Sequence, residues 1–352
     1  MTIADVIKKR DLNKSLLIGY YGGGNFGDEL LLEVLLNMLK KQNVHDIDVL
    51  YQAFDRYATY HHDFGCRLVA MSHKFELLKA ILRNKQLVVG GGGLWGLDVN
   101  TSTFALGVVL WVSRWLLGKK IYLLGVGYYN STSRFGHMSA WLAGKAANHI
   151  VVRDAESRGN FKKITSAVTL DKDIAWYTRD LNLDVYAADA KKLEARTSLP
   201  QQSGERALFI TLRRFKPQYA NDFTASVEEL IAAAPHKKII VALLEPRDVD
   251  PLGFDLITSW AAKYPQVQAI DFAYNPLTLL LFFKQHNKQL MFVGPQFHGI
   301  LTAHLAGVPY MPLVYDNKTQ ELLNQVGVQA SYSLYNLSAD ELQNYVLGEG
   351  IA

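Results

Sequence analysis

Short apolar runs alternate along the chain with longer stretches in which apolar residues recur every three or four positions. Six runs in the first half have the length and β-branched content of buried strands: "SLLIGY" from Ser15, "DIDVLYQA" from Asp46, "RLVAM" from Arg67, "QLVVGG" from Gln86, "KIYLLG" from Lys120 and "HIVVRD" from His149. Between them, "DELLLEVLLNMLKKQ" from Asp28 and "FELLKAILRN" from Phe75 carry helical spacing. The rhythm resumes with "ALFITLR" from Ala207, "KKIIVALL" from Lys237, "VQAID" from Val267, "QLMFVG" from Gln289 and "VPYMPL" from Val308, with helical segments such as "FTASVEELIAAA" from Phe223. Such alternation predicts an α/β fold with parallel, doubly wound sheets. A polar stretch containing Pro and Gly, "DAKKLEARTSLPQQSGERA" from Asp189, interrupts the pattern and places a lobe boundary around residues 185 to 205. The expected organisation is an N-terminal Rossmann-like lobe over 1–190, a C-terminal Rossmann-like lobe over 205–335 and a C-terminal helix over 336–352. The two Rossmann-like lobes are expected to face a central cleft.

One apolar run stands out for length, "FALGVVLWVSRWLLG" from Phe104 to Gly118. Arg114 interrupts it, and it is too short for a relaxed transmembrane span, so it reads as a buried core helix. The alternative is an interfacial helix, with Trp111, Trp115 and the following Lys119 and Lys120 at a lipid surface. The chain has 352 residues, 49% hydrophobic and 20% charged, enough for two cores and against disorder. Lys and Arg number 37 against 33 Asp and Glu, a net charge of +4. That small excess favours anionic substrates or an anionic membrane surface and does not argue for nucleic acid. Cys66 is the sole cysteine, so no intrachain disulfide can form. With no apolar segment behind the basic residues of the N-terminus, the expected location is cytoplasmic. No metal site is expected: neighbouring His61 and His62 would point to opposite faces of a strand, without evident partners.

Three predicted strands of the first lobe run into glycine: Gly22 to Gly24, Gly90 to Gly93, and Gly125 with Gly127. In a parallel sheet these ends share the carboxyl edge, where open α/β folds bind ligands. Any one glycine turn simply ends a strand; three together, two of them runs, point to a ligand-facing floor. Gly22, Gly24 and Gly27 also spell the G-x-G-x-x-G of a dinucleotide site. Asp28 and Glu29 follow at once, however, and a carboxylate in the first helical turn would repel a phosphate docked on the same amides. The acidic residue that should close the second strand is also out of place, since Asp46 and Asp48 begin it and Asp55 lies beyond its end. Asn25 and Asp28 suit neutral sugar hydroxyls, or capping of their own helix.

In the second lobe, "FVGPQFHGILTAHLAGVPYMPLVYDNK" ends a strand, turns at Gly-Pro and opens an apolar helix at His298. His304 lies further along that helix, as packing or surface. The ordered set of motifs resembles the polysaccharide pyruvyl transferase family. "GYYGGGNFGDELLL", "VVGGGGLW" and "LLGVGYYN" are similar to its first three motifs, with Asn25, Gly27 and Asp28 in the matching positions of the first. "VVRDAESRGNF" is similar to an Arg-Asp-x-x-Ser segment, carried by Arg153, Asp154 and Ser157, and "FITLRRF" to a strand ending in arginine, at Arg213. His298, Tyr315, Asp316 and Lys318 fill the block in which a histidine begins a helix and Tyr-Asp-x-Lys follows the next strand. The resemblance runs over about residues 15 to 330. Where the family usually reads Arg-Leu-His, this chain reads Gln296-Phe297-His298.

The resemblance implies a fold similar to the glycosyltransferase B architecture and transfer of the enolpyruvyl group of phosphoenolpyruvate onto a sugar, as a cyclic ketal. Phosphoenolpyruvate would be a donor substrate, and no cofactor is implied. It implies His298 as the acid/base group, since imidazole titrates near neutrality. Arg213 would clamp the doubly anionic donor with its planar fork, Arg214 and Lys318 being second choices. Asn25, Asp28, Gly24 and Gly92 would hold the acceptor. Arg153 and Asp154 read as a tie between a strand end and its neighbours. The acceptor is a saccharide, in such pathways often lipid-linked at the inner membrane face, which would give residues 104–118 a role in peripheral membrane contact. The rivals are a nucleotide-sugar glycosyltransferase, for which Glu228 and Glu229 are poor ribose ligands, and a degenerate, non-catalytic saccharide-binding member. A nicotinamide oxidoreductase comes last.

Overall fold

The structure, a computed structural model, describes all residues except 96–100, 131, 201–203, 213–216, 316, 329–331, 335–336 and 348–352. The chain divides into two compact units, Met1–Leu181 and Asn182–Ala352. The polar stretch at 185–205 therefore belongs to the second unit. Part of it forms a helix whose Ala190 and Leu193 are buried, which is why it folds with that unit rather than serving as a linker.

In the first unit the strands are β1 (Ser15–Ile18), β2 (Ile47–Tyr51), β3 (Arg67–Ala70), β4 (Gln86–Gly90), β5 (Lys120–Val126), β6 (His149–Val152) and β7 (Val168–Leu170). They form a parallel sheet in the order β3-β2-β1-β4-β5-β6-β7. Its helices are α1 (Ile3–Lys9), α2 (Phe26–Lys41), α3 (Tyr57–Tyr60), α4 (Lys74–Arg83), α5 (Thr101–Trp115), α6 (Arg134–Ala146) and α7 (Ala155–Lys162). Leu17 lies opposite Val49 on one side and Val88 on the other, so β1 is central and the chain reverses its winding between β1 and β4. Leu16, Ile18, Leu87, Val89, Ile121 and Leu123 line one sheet face, and α4, α5 and α6 cover it through residues such as Ile81, Leu110 and Ala140.

The second unit repeats the plan. Its strands β8 (Ala207–Leu212), β9 (Ile239–Leu243), β10 (Val267–Asp271), β11 (Leu290–Gly294), β12 (Tyr310–Val314) and β13 (Tyr332–Ser333) are parallel and ordered β10-β9-β8-β11-β12-β13. The helices are α8 (Ala187–Ala195), α9 (Pro217–Ala233), α10 (Pro251–Lys263), α11 (Pro276–Gln285), α12 (Phe297–Ala306), α13 (Asn317–Val326) and α14 (Ala339–Leu347). Ile210 pairs with Val241 and with Val293, so the reversal falls between β8 and β11. In open α/β sheets ligands bind beyond the carboxyl ends of the strands at such reversals.

The apolar run at Phe104–Gly118 departs from the buried core helix expected of it. Gly107, Leu110 and Ser113 of α5 are buried, but Val108, Trp111 and Trp115 stand exposed, with Leu116 and Leu117 after them. A helix on the outer layer of a three-layer fold can bury one side only, however apolar its sequence. Among the described residues no helix is long and apolar enough to cross a membrane.

Candidate functional site

The glycine turn after β1 is shaped by one buried acid. Glu29 is fully buried, and its Oε1 accepts the backbone N–H of Gly22 at 2.8 Å and of Gly24 at 3.1 Å. Both glycines adopt positive φ, +79° and +77°, which only glycine takes without strain. Asn25 ends the turn as the N-cap of α2, its Oδ1 accepting from Gly27 and Asp28 at 3.0 and 3.2 Å. Its amide nitrogen is then the donor that this side chain has for other groups. Asp28, half-buried in the first turn, lies beside the glycine run that follows β4: a Cβ on Gly92 would stand 3.2 Å from Asp28 Oδ1. The reversal between β1 and β4 thus brings Gly24, Asn25, Asp28 and Gly92 to one place on the sheet edge. Asp28 in the first helical turn, with the Gly22 and Gly24 amides already held by Glu29, makes this end of α2 a poor anion site and a fair one for hydroxyls.

Behind the turn lies a network with no counterpart in the sequence expectation. His61 was expected to lack partners; instead its Nε2 faces Glu29 Oε2 at 2.9 Å and its Nδ1 faces Glu33 Oε2 at 3.0 Å, all fully buried. The Tyr51 hydroxyl donates to Glu29 Oε2 at 3.1 Å. The signal available in the sequence was a pair of carboxylates one turn apart, Glu29 and Glu33, flanking and interrupting the apolar run from Leu30 to Leu36.

At the end of β6, buried Arg153 donates to Asp173 Oδ2 at 2.8 Å and to the Tyr129 hydroxyl at 3.0 Å. Tyr129 in turn donates to Asp154, which caps α7 through the Ser157 N–H at 2.7 Å. Burial opposes the Arg153 charge, but Tyr129 and Asp173 outweigh it and raise its pKa. Arg153 and Asp154 lock loops together beneath the strand ends.

In the second unit, the β8–β11 reversal is sutured by Gln296. Thr211 Oγ1 donates to its Oε1 at 2.5 Å, and its Nε2 donates to the Leu212 carbonyl at 2.6 Å. The strands come so close here that a Cβ on Gly294 would collide with the Thr211 hydroxyl. Gln296 is the N-cap residue of α12 yet makes no side-chain bond to the helix, and the first turn holds no acid. In this it differs from α2: no acid of its own first turn offsets the positive end of the helix dipole. His298 sits in this first turn, half-buried, its ring 4.9 Å from that of Phe297. Lys318 opens α13 at the end of the adjacent strand, β12, and Tyr315 packs against the core of the unit. Arg213, Arg214 and Asp316 lie outside the described residues. His304, down the helix, faces the Tyr310 hydroxyl at 3.2 Å. Among the described residues no cluster of His, Cys, Asp and Glu is arranged to hold a metal ion.

Two parallel sheets, each wound in both directions from a central strand, define an α/β protein of two Rossmann-like lobes. Solved structures share that fold at low identity. A putative UDP-N-acetylglucosamine 2-epimerase from Listeria monocytogenes is 12% identical with TM-score 0.59, covering 95% of this chain and 86% of that one. Anabaena HepE in complex with UDP and glucose is 11% identical with TM-score 0.58, covering 96% and 89%. A UDP-GlcNAc 2-epimerase from Methanocaldococcus jannaschii is 13% identical with TM-score 0.58, covering 96% and 99%. These likenesses are of the glycosyltransferase B type and concern the fold alone. No curated protein matches the sequence. The chain belongs to the polysaccharide pyruvyl transferase family, whose sequence model matches residues 25–317.

Proposed function

We propose that this chain transfers the pyruvyl group of phosphoenolpyruvate to a saccharide, forming a cyclic ketal across two hydroxyls in the biosynthesis of a cell-surface polysaccharide. One observation carries the reading beyond family membership: the contrast between the two helix openings. At α2 a capping Asn25, the first-turn Asp28 and glycine amides already held by Glu29 favour a neutral hydroxyl ligand, whereas at α12 an acid-free first turn carries His298. The acceptor is accordingly assigned to Asn25, Asp28, Gly24 and Gly92, and the doubly anionic donor to the second unit, with Lys318, Arg213 and Arg214 as its cations.

The chemistry follows from the donor. His298 delivers a proton to the methylene carbon of phosphoenolpyruvate, leaving an oxocarbenium-like centre at the neighbouring carbon. A sugar hydroxyl adds there and returns its proton to His298; the C–O bond to phosphate then breaks, leaving a second oxocarbenium-like centre, and the second hydroxyl closes the ring on it, its proton leaving with the phosphate. No cofactor is needed, because the leaving phosphate comes with the donor. The acceptor is a lipid-linked saccharide, met on the cytoplasmic face of the membrane. A second reading, nucleotide-sugar chemistry, draws on the UDP-bound neighbours of the same fold.

The test is phosphate release from phosphoenolpyruvate with a panel of free and lipid-linked saccharides. Replacing His298 with alanine is expected to lower turnover by about 10²–10⁴-fold with an unchanged melting curve. Turnover equal to the parent protein would remove His298 from the chemistry.

A further inference from the structure

The helix layer over one face of the first sheet carries an apolar surface too large to be incidental. Phe75 and Leu82 of α4, Trp111 and Trp115 of α5, Leu116 after it and Trp141 of α6 all stand exposed, Phe75 at 72%, Leu116 at 71% and Trp115 at 58%. Phe75 and Leu82 are seven residues apart, and Trp111 and Trp115 four, spacings that keep each pair on the outer side of its helix. The three helices are continuous: the Phe104 and Phe135 rings of α5 and α6 lie 5.9 Å apart. Lys119, just past α5, donates to the carbonyls of Leu82 and Asn84 at the end of α4, at 2.7 and 2.6 Å.

Cations are interleaved with these rings. The Lys79 ammonium stands 5.1 Å from the Phe75 ring centre, and the Arg114 guanidinium 5.6 Å from that of Trp115. Across α4, α5 and α6 the charged residues are Lys74, Lys79, Arg83, Arg114, Arg134 and Lys145 against Glu76 alone; Arg83 is already paired with buried Asp48 at 2.6 Å, which leaves five cations. Large apolar side chains flanked by long basic ones, on helices too short to span a bilayer, are the composition of a surface that lies in a membrane interface.

We infer that the outer face of α4, α5 and α6 docks on an anionic lipid bilayer, its aromatic side chains entering the headgroup region and its cations meeting lipid phosphates. The charge balance chooses this occupant over a second copy of the chain. A two-fold contact would press these five cations and one acid against the same set, a like-charge juxtaposition, whereas an anionic surface complements them. The face is wider than residues 104–118, since α4 and α6 supply half of it, and the inference stands apart from the transfer chemistry.

Co-sedimentation of the full chain with vesicles of phosphatidylglycerol or of phosphatidylcholine, without donor or acceptor, tests it. Binding to the anionic vesicles alone, relieved by salt and accompanied by a blue shift of tryptophan emission, is the expected result. The triple variant Trp111→Ser, Trp115→Ser, Leu116→Ser should bind about tenfold more weakly or less, with its melting curve and its turnover on a soluble saccharide unchanged. Protein left in the supernatant with both vesicles, or a variant that binds as the parent does, overturns the inference. So does a concentration-dependent dimer, seen by sedimentation velocity and broken by the triple variant, in a protein that does not bind vesicles.

Discussion

Glu29 is where single residues matter most in the first unit, because one of its oxygens holds the glycine turn and the other faces His61 and Tyr51. An imidazole between two carboxylates satisfies both nitrogens only as imidazolium. Burial acts to lower the His61 pKa, and the hydrogen bonds and charges of Glu29 and Glu33 outweigh it, for a net shift upward. A raised folded-state pKa contributes stability that is fully present below the ordinary imidazole value and is lost as pH rises through the raised one. Denaturant titrations should therefore show stability falling from neutral into alkaline pH, with that slope absent from His61→Ala. The variant takes a cation away from two buried carboxylates and should cost about 3–5 kcal/mol. A parent protein with a flat profile over that range would show that His61 is not charged. The sequence did not reveal this network, because His61 is 32 residues from Glu29 and 28 from Glu33, and only the packing of α2 beside the end of α3 joins them.

Elements were read well where hydrophobic pattern alone decides them. The runs read as strands are β1 to β6 and β8 to β12, since a strand buried on both faces writes itself as a short apolar block. The edge strands β7 and β13, of three and two residues, are too short to leave such a block. For α5 the pattern misled: apolar residues all round are expected of burial, and here one side of the helix faces outward. Gln296 shows the same limit at the candidate site. Its place before His298 is plain in the sequence, but its use, joining the end of β8 to the opening of α12, depends on a close approach of β8 and β11. Gln296→Ala would orphan the Thr211 hydroxyl and the Leu212 carbonyl, lowering stability by about 1–3 kcal/mol. Because Arg213 follows Leu212 directly, the KM for phosphoenolpyruvate should rise as well; steady-state kinetics beside a melt would separate the two effects, and an unchanged KM would detach this suture from donor binding.

For the molecule as a whole, the open choice is between a small doubly anionic donor and a nucleotide sugar on the same fold. A ligand that binds only the folded state stabilises it by about 2.7 kcal/mol at about 100 times its Kd. Phosphoenolpyruvate should raise the melting temperature accordingly, while UDP-sugars leave it in place; the reverse pattern would transfer the chain to the nucleotide-sugar reading. The sequence by itself determined the α/β class, the parallel strands and the glycine-lined edge, because these follow from local periodicity and the conformations open to each residue. It also determined the family, through motifs kept in order. Only tertiary structure decided which charges meet and which apolar side chains stay in solvent. The clamp of Glu29 on the glycine turn, the imidazolium behind it, the suture at Gln296 and the bare face of α4 to α6 each depend on distances between segments remote in the chain. Folding sets those distances through the packing of whole layers, and no local pattern encodes them.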